Sequence, residues 1–152
     1  MKIIHDIIST FIGIGYCPLA PGTAASLVVV LIYYFLLRGL SWPVFAGLCL
    51  IIFFLGVWSS SRYASSRRVE DPGSVVIDEV LGQLLALFAL HFTTPGWPLL
   101  LAAFLGFRFF DIFKPFFIHR AERFPAGWGI MLDDVMAGLY TGILLQIYLH
   151  LA

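Results

Sequence analysis

Polar and apolar positions in this chain fall into long blocks. No charged side chain occurs between Asp6 and Arg38, and the stretch Thr23–Leu37 within that gap predicts a helix. A second apolar run, Trp42–Trp58, carries aromatic residues at both ends, as segments at membrane interfaces do. A third starts after Glu79 and stays uncharged to Phe107. Thr93-Thr94-Pro95-Gly96 breaks it into Val80–Phe92 and Trp97–Phe110, which predicts a helical hairpin. The last run is Val135–Leu151. These runs are apolar all round, whereas a β-barrel would show short alternating segments. The pattern therefore predicts an all-α membrane bundle of about five short helices, in one domain over residues 1–152. Several runs are shorter than the roughly 20 residues a full span needs, so they tilt, pack inside protein or dip into the bilayer.

Composition supports the membrane setting. Of 152 residues, 61% are hydrophobic and 12% charged, against roughly 45–50% and 25% in soluble domains. Mean hydropathy is +0.96. A small soluble domain cannot hide that much apolar surface. Nine basic and nine acidic residues give zero net charge, which argues against nucleic-acid binding. The two cysteines, Cys17 and Cys49, suggest neither a disulfide framework nor a thiolate metal site. Asp6, Pro18 and Pro21 fit a secretory signal poorly, so the N-terminus is expected to be retained. If all five segments cross, Lys2, Arg62, Arg67, Arg68, Lys114, Arg120 and Arg123 share one side and Arg38 the other. The positive-inside rule puts the first group in the cytoplasm. The stretches near Thr23, Asp78, Asp111 and Asp134 then converge on that cytoplasmic face.

Five of the nine carboxylates lie in three places at the borders of apolar runs: Asp78-Glu79, Asp111 and Asp133-Asp134. A carboxylate near hydrocarbon is expensive unless paired, hydrated or bound to a cation. Acids at helix starts also gain from the helix dipole, and for one pair alone that explanation is preferred. Two adjacent pairs, plus Asp111 at a helix end where the dipole opposes it, favour a site for a hard cation such as Mg²⁺. Ile77-Asp78-Glu79-Val80 and Leu132-Asp133-Asp134-Val135 echo each other, too briefly to indicate duplication.

Arg108, Asp111 and Lys114 are spaced i, i+3, i+6 ahead of Pro115, so neighbouring pairs can touch near a helix terminus. Such cations can hold a phosphate while the carboxylate holds a metal, although a plain intrahelical ion pair is the commoner meaning. The stretch Gly13 to Thr23, with Pro18 and Pro21, forbids a regular helix. Its glycines allow close backbone approach, and Thr23 and Ser26 add hydroxyls beside a helix start. A turn with Thr23 as N-cap is the simpler explanation. Gly127-Trp128-Gly129 is expected to form a tight turn before Asp133. Gly82, Gly138 and Gly142 are expected to let helices approach closely. The four histidines lack metal-ligand spacing, and only His119, near Lys114, is placed to serve as an acid or base.

Taken in order, four stretches resemble the phosphatidylglycerophosphatase A family. They are Gly13–Thr23 with Ser26-Leu27, Val76–Glu79 with Gly82, Phe107–Pro115, and Gly127–Asp134 with Ala137-Gly138. Ala25 stands where the family usually has Gly, and Phe117 where it has a second proline. The resemblance implies a Mg²⁺-dependent lipid phosphatase of the bacterial inner membrane. Such an enzyme converts phosphatidylglycerophosphate to phosphatidylglycerol and phosphate.

Other phosphatase chemistries lack their residues here. Thr23, not Arg, follows Cys17 by six positions, and no D-x-D or histidine-based pattern occurs. A metal-activated water remains. On this reading Asp78, Glu79, Asp111, Asp133 and Asp134 hold Mg²⁺, and Asp78, Glu79, Asp111 and Asp134 are catalytic. Thr23, Ser26, Arg108 and Lys114 bind substrate, and a carboxylate not bound to the metal, with Glu79 the candidate, is the base. The same acids would also suit a small cation transporter or a scaffold whose acids only cap helices.

Overall fold

The computed structural model describes residues 2–69, 72–115 and 124–151. Among them every regular element is helical: α1 (Lys2–Ser9), α2 (Pro21–Ile32), α3 (Trp42–Arg67), α4 (Ile77–Phe88), α5 (Trp97–Phe113) and α6 (Gly127–Leu151). The all-α expectation therefore holds, with one helix more than predicted. Two helices, α3 and α6, are long and apolar enough to cross a membrane. Arg120, Arg123, His119 and Phe117 lie outside the described residues.

Helix α4 is central, packing on α6, α2, α3 and α5. Lipid tails are as apolar as leucine, so burying Leu against Leu does little to hold membrane helices together; close van der Waals approach does more. The sequence supplies it with glycine. A Cβ on Gly138 would stand 2.3 Å from the Gly82 carbonyl oxygen, and one on Gly82 would stand 2.7 Å from that of Asp134. The axes of α4 and α6 thus meet backbone to backbone. Gly142 makes only ordinary contact, at 3.4 Å from the Ala89 Cβ.

Most departures from expectation occur at helix ends. Helix α3 runs nine residues past Trp58, and there Ser61, Ser65 and Ser66 return their hydroxyls to carbonyls three or four residues back. Gly127-Trp128-Gly129 is the first turn of α6, not a turn before it. Gly127 lies against α3, its N–H donating to Ser61 Oγ at 2.9 Å, where a Cβ would meet the Val57 carbonyl at 2.3 Å. Helix α2 begins at Pro21 with Ala20 as a left-handed N-cap, so Thr23 sits within the first turn and is not the cap. Its far end widens into a π-turn at Tyr33–Leu37.

The unanticipated helix α1 is inside out. His5 and Ser9 are buried against the protein, while Ile3 and Ile7 are 72% and 47% exposed. Water would not favour that arrangement; a lipid surface does.

Candidate active site

The first turn of α4, the last turn of α5 and the early part of α6 meet at one end of the bundle. Helix α4 carries Asp78 and Glu79, held by the Gly82 and Gly138 contact against the Asp134 segment of α6. Oxygens of Asp78, Glu79 and Asp134 all lie within 4.8 Å of one another. Two oxygens on opposite sides of a Mg²⁺ ion would stand about 4 Å apart, so the cluster has the right scale for such an ion. Asp78 Oδ1, Glu79 Oε2 and Asp134 Oδ2 are buried without a hydrogen-bond partner among the described residues. Unpartnered buried carboxylate oxygens are costly, and an oxygen-seeking cation relieves that cost. The donor set therefore fits Mg²⁺.

The position of the second acidic pair removes the helix-dipole explanation for it. Asp133 and Asp134 are the seventh and eighth residues of α6, well past the first turn, where the dipole helps little. Asp78 and Glu79, outside the two long helices, do occupy a first turn. Even so, burial and then the neighbouring charges of Glu79 and Asp134 hold the Asp78 carboxyl well above the usual range. Burial also raises Glu79; the Asp78 hydrogen bond and the Arg108 charge oppose that rise, and the Asp111 charge adds to it.

The two remaining acids are each held by a cation. Arg108 Nη1 lies 2.7 Å from Asp111 Oδ2 and 3.9 Å from Glu79 Oε1. Lys114 Nζ donates to Asp133 Oδ2 at 2.7 Å, and Asp133 Oδ1 accepts from the Asp134 N–H at 3.0 Å. Helix α5 stops at Phe113, and Lys114 takes a left-handed conformation (φ 43°), unusual for a residue with a Cβ. From there its side chain reaches α6.

The start of α2 closes the site. A Cβ on Gly22 would stand 1.9 Å from Glu79 Oε1 and 3.1 Å from Arg108 Nη1, so a larger residue there would push the ends of both side chains aside. Thr23, half-buried, follows it. Ser26 is buried and donates to the Gly22 carbonyl at 2.8 Å, so its hydroxyl serves the glycine turn and does not line the acid cluster. The structure thus brings together Asp78, Glu79, Asp134, Asp111, Arg108 and, through Asp133, Lys114. One contributor escaped the sequence reading: Gly22 as a wall against Glu79. Gln83, one turn beyond Glu79, is fully buried with neither side-chain polar atom partnered among the described residues.

The profile of the family described as Phosphatidylglycerophosphatase A matches residues 7–149. A protein of Bacteroides thetaiotaomicron named "Putative phosphatidylinositol-3-phosphatase" is 39% identical over 146 residues, covering 93% of this chain and 91% of its own. Proteins named phosphatidylglycerophosphatase A are similar too. That of Haemophilus influenzae is 39% identical over 132 residues, covering 86% of this chain and 80% of its own. That of Escherichia coli is 34% identical over 139 residues, covering 91% and 79%. No solved structure matches.

Proposed function

The chain belongs to the phosphatidylglycerophosphatase A family, and from that premise we propose that it hydrolyses phosphatidylglycerophosphate to phosphatidylglycerol and phosphate in the inner leaflet of a bacterial inner membrane. The observation that carries the proposal is the meeting of Asp78, Glu79 and Asp134, with unpartnered oxygens, beside two cationic side chains. In this proposal residues 1–152 act as one membrane-embedded domain.

Asp78, Glu79 and Asp134 would hold Mg²⁺, with Asp111 and Asp133 at its flanks. When bound, the ion supplies positive charge against the phosphoryl oxygens and acidifies water. The residues of the chain do the rest. Arg108, already shared between Asp111 and Glu79, turns a guanidinium edge toward the phosphate and offsets the charge that builds on its oxygens. Lys114, with its side chain 27% exposed, is the more accessible cation and meets the incoming phosphate first. A carboxylate not bound directly to the ion, for which Glu79 is the candidate, would accept the proton of the attacking water and pass it to the leaving glycerol oxygen. Thr23, beside Gly22, donates its hydroxyl to the phosphate, and Ser26 acts indirectly by holding the Gly22 carbonyl. Positioning contributes about 7–11 kcal/mol to such reactions. Phosphate monoesters need more than that, so electrostatic stabilisation carries a large share.

The exposed isoleucines of α1 and the apolar outer faces of α3 and α6 support a membrane location. The test is phosphate release by purified protein from phosphatidylglycerophosphate, with and without Mg²⁺. Phosphatidic acid and phosphatidylinositol 3-phosphate serve as competitors. Mg²⁺-dependent release, resisted by both competitors, is expected. Undiminished activity in excess EDTA would refute the metal assignment, and preference for either competitor would refute the substrate.

A further inference from the structure

An apolar furrow of about 370 Å³ lies between α3, α4 and α6. Its walls include Cys49 and Phe53 of α3, Leu81 and Leu85 of α4, and Val135 and Leu139 of α6. Every residue along it is apolar. We propose that this furrow receives one acyl chain of the phospholipid whose phosphate meets the Asp78, Glu79 and Asp134 cluster. The inference rests on the lipid-phosphate reading above and adds where the substrate's tail lies.

Three observations favour an acyl chain as the occupant. The furrow is continuous with the acids: Leu81, Leu85 and Phe88 follow Asp78 at i+3, i+7 and i+10, on one stripe of α4, and Val135 follows Asp134. Its depth lies within one leaflet. Along α4 the lining runs from Leu81 to Phe88, a rise of roughly 10 Å, against about 15 Å for half of a hydrocarbon core. Its lining also disfavours an extended peptide, whose backbone N–H and C=O groups would find no partner on purely apolar walls. Leu139 and Leu50 at its rim are 50% and 59% exposed, so a chain can enter sideways from the bilayer. A second apolar cavity, sharing Leu85, Phe88 and Leu139, continues toward His150 and gives room for longer chains.

The experiment uses wild-type protein in phosphatidylcholine vesicles and phosphatidylglycerophosphate with a diazirine at mid-chain. Irradiation is followed by mass-spectrometric mapping. Label concentrated on Cys49, Leu85 and Leu139 is expected, suppressed by excess unlabelled phosphatidylglycerophosphate but not by more phosphatidylcholine. Label spread evenly over the lipid-facing Ile51, Phe54 and Leu144 overturns the proposal. So does furrow label that changes only with protein concentration, which would mark a contact between copies. As a second arm, Leu85→Trp should raise KM for a long-chain substrate about tenfold. The kcat should stay within about twofold, and KM for a dihexanoyl analogue should be unchanged. Equal losses on both chain lengths would also overturn the inference. Labelling needs no turnover, so the two readings fail separately. Furrow label without phosphate release sinks only the phosphatase reading, and release with scattered label sinks only the furrow.

Discussion

Two sets of acids share one end of this bundle under opposite electrostatic conditions. Asp111 and Asp133 each own a cation, Arg108 at 2.7 Å and Lys114 at 2.7 Å. Asp78, Glu79 and Asp134 crowd together, and Glu79 has only a distant share of Arg108, at 3.9 Å. The first set resembles structural ion pairs. The second gains little by staying charged unless something positive joins it. Stability and activity should therefore separate: the paired acids serve chiefly the fold, the crowded acids chiefly the chemistry.

The sharpest break of that contrast comes from Asp78→Asn and Asp134→Asn. Each should cut phosphate release by about a thousandfold or more. Melting in EDTA should stay unchanged or rise, because a repelling charge is gone. A large loss of melting temperature for either variant would show these acids to be structural. Next, Arg108→Gln should lower kcat by about 10²–10³-fold, the scale of losing one transition-state donor. A change confined to KM would remove Arg108 from the chemistry. Asp133→Asn should cost about 1 kcal/mol or less in denaturant unfolding, because the charged pair with Lys114, whose side chain is 27% exposed, is weakened. Its activity should fall only about 10–100-fold, so a loss as deep as that of Asp134→Asn would merge the two sets. The smallest pair of effects tests the scaffold beneath. Gly138→Ala drives a Cβ onto the Gly82 carbonyl and should cost about 1–3 kcal/mol, whereas Gly142→Ala meets only the Ala89 methyl and should be close to neutral.

The gathering of the acids at one end argues against an ion pathway, which would distribute them along the bundle. Tolerance of Asp78→Asn and Asp134→Asn would revive the scaffold alternative.

Much of this was legible along the chain because the signals are local. Apolar blocks locate helix middles, and Thr93–Gly96 separates α4 from α5. Helix ends were less legible, since the serines after Trp58 read as polar breaks yet satisfy their hydroxyls within α3. Helix α1 was missed because its eight residues place isoleucine outward, a pattern that makes sense only beside an apolar neighbour outside the chain.

The sequence by itself determined the helical class, the membrane-like composition and the five acids at the edges of apolar runs, because periodicity and charge are properties of neighbours along the chain. Only the tertiary structure decided which acids are paired and which are crowded. That depends on the Gly82–Gly138 approach, the left-handed Lys114 and the Gly22 wall, contacts between segments far apart in sequence whose distances no spacing along one segment can fix.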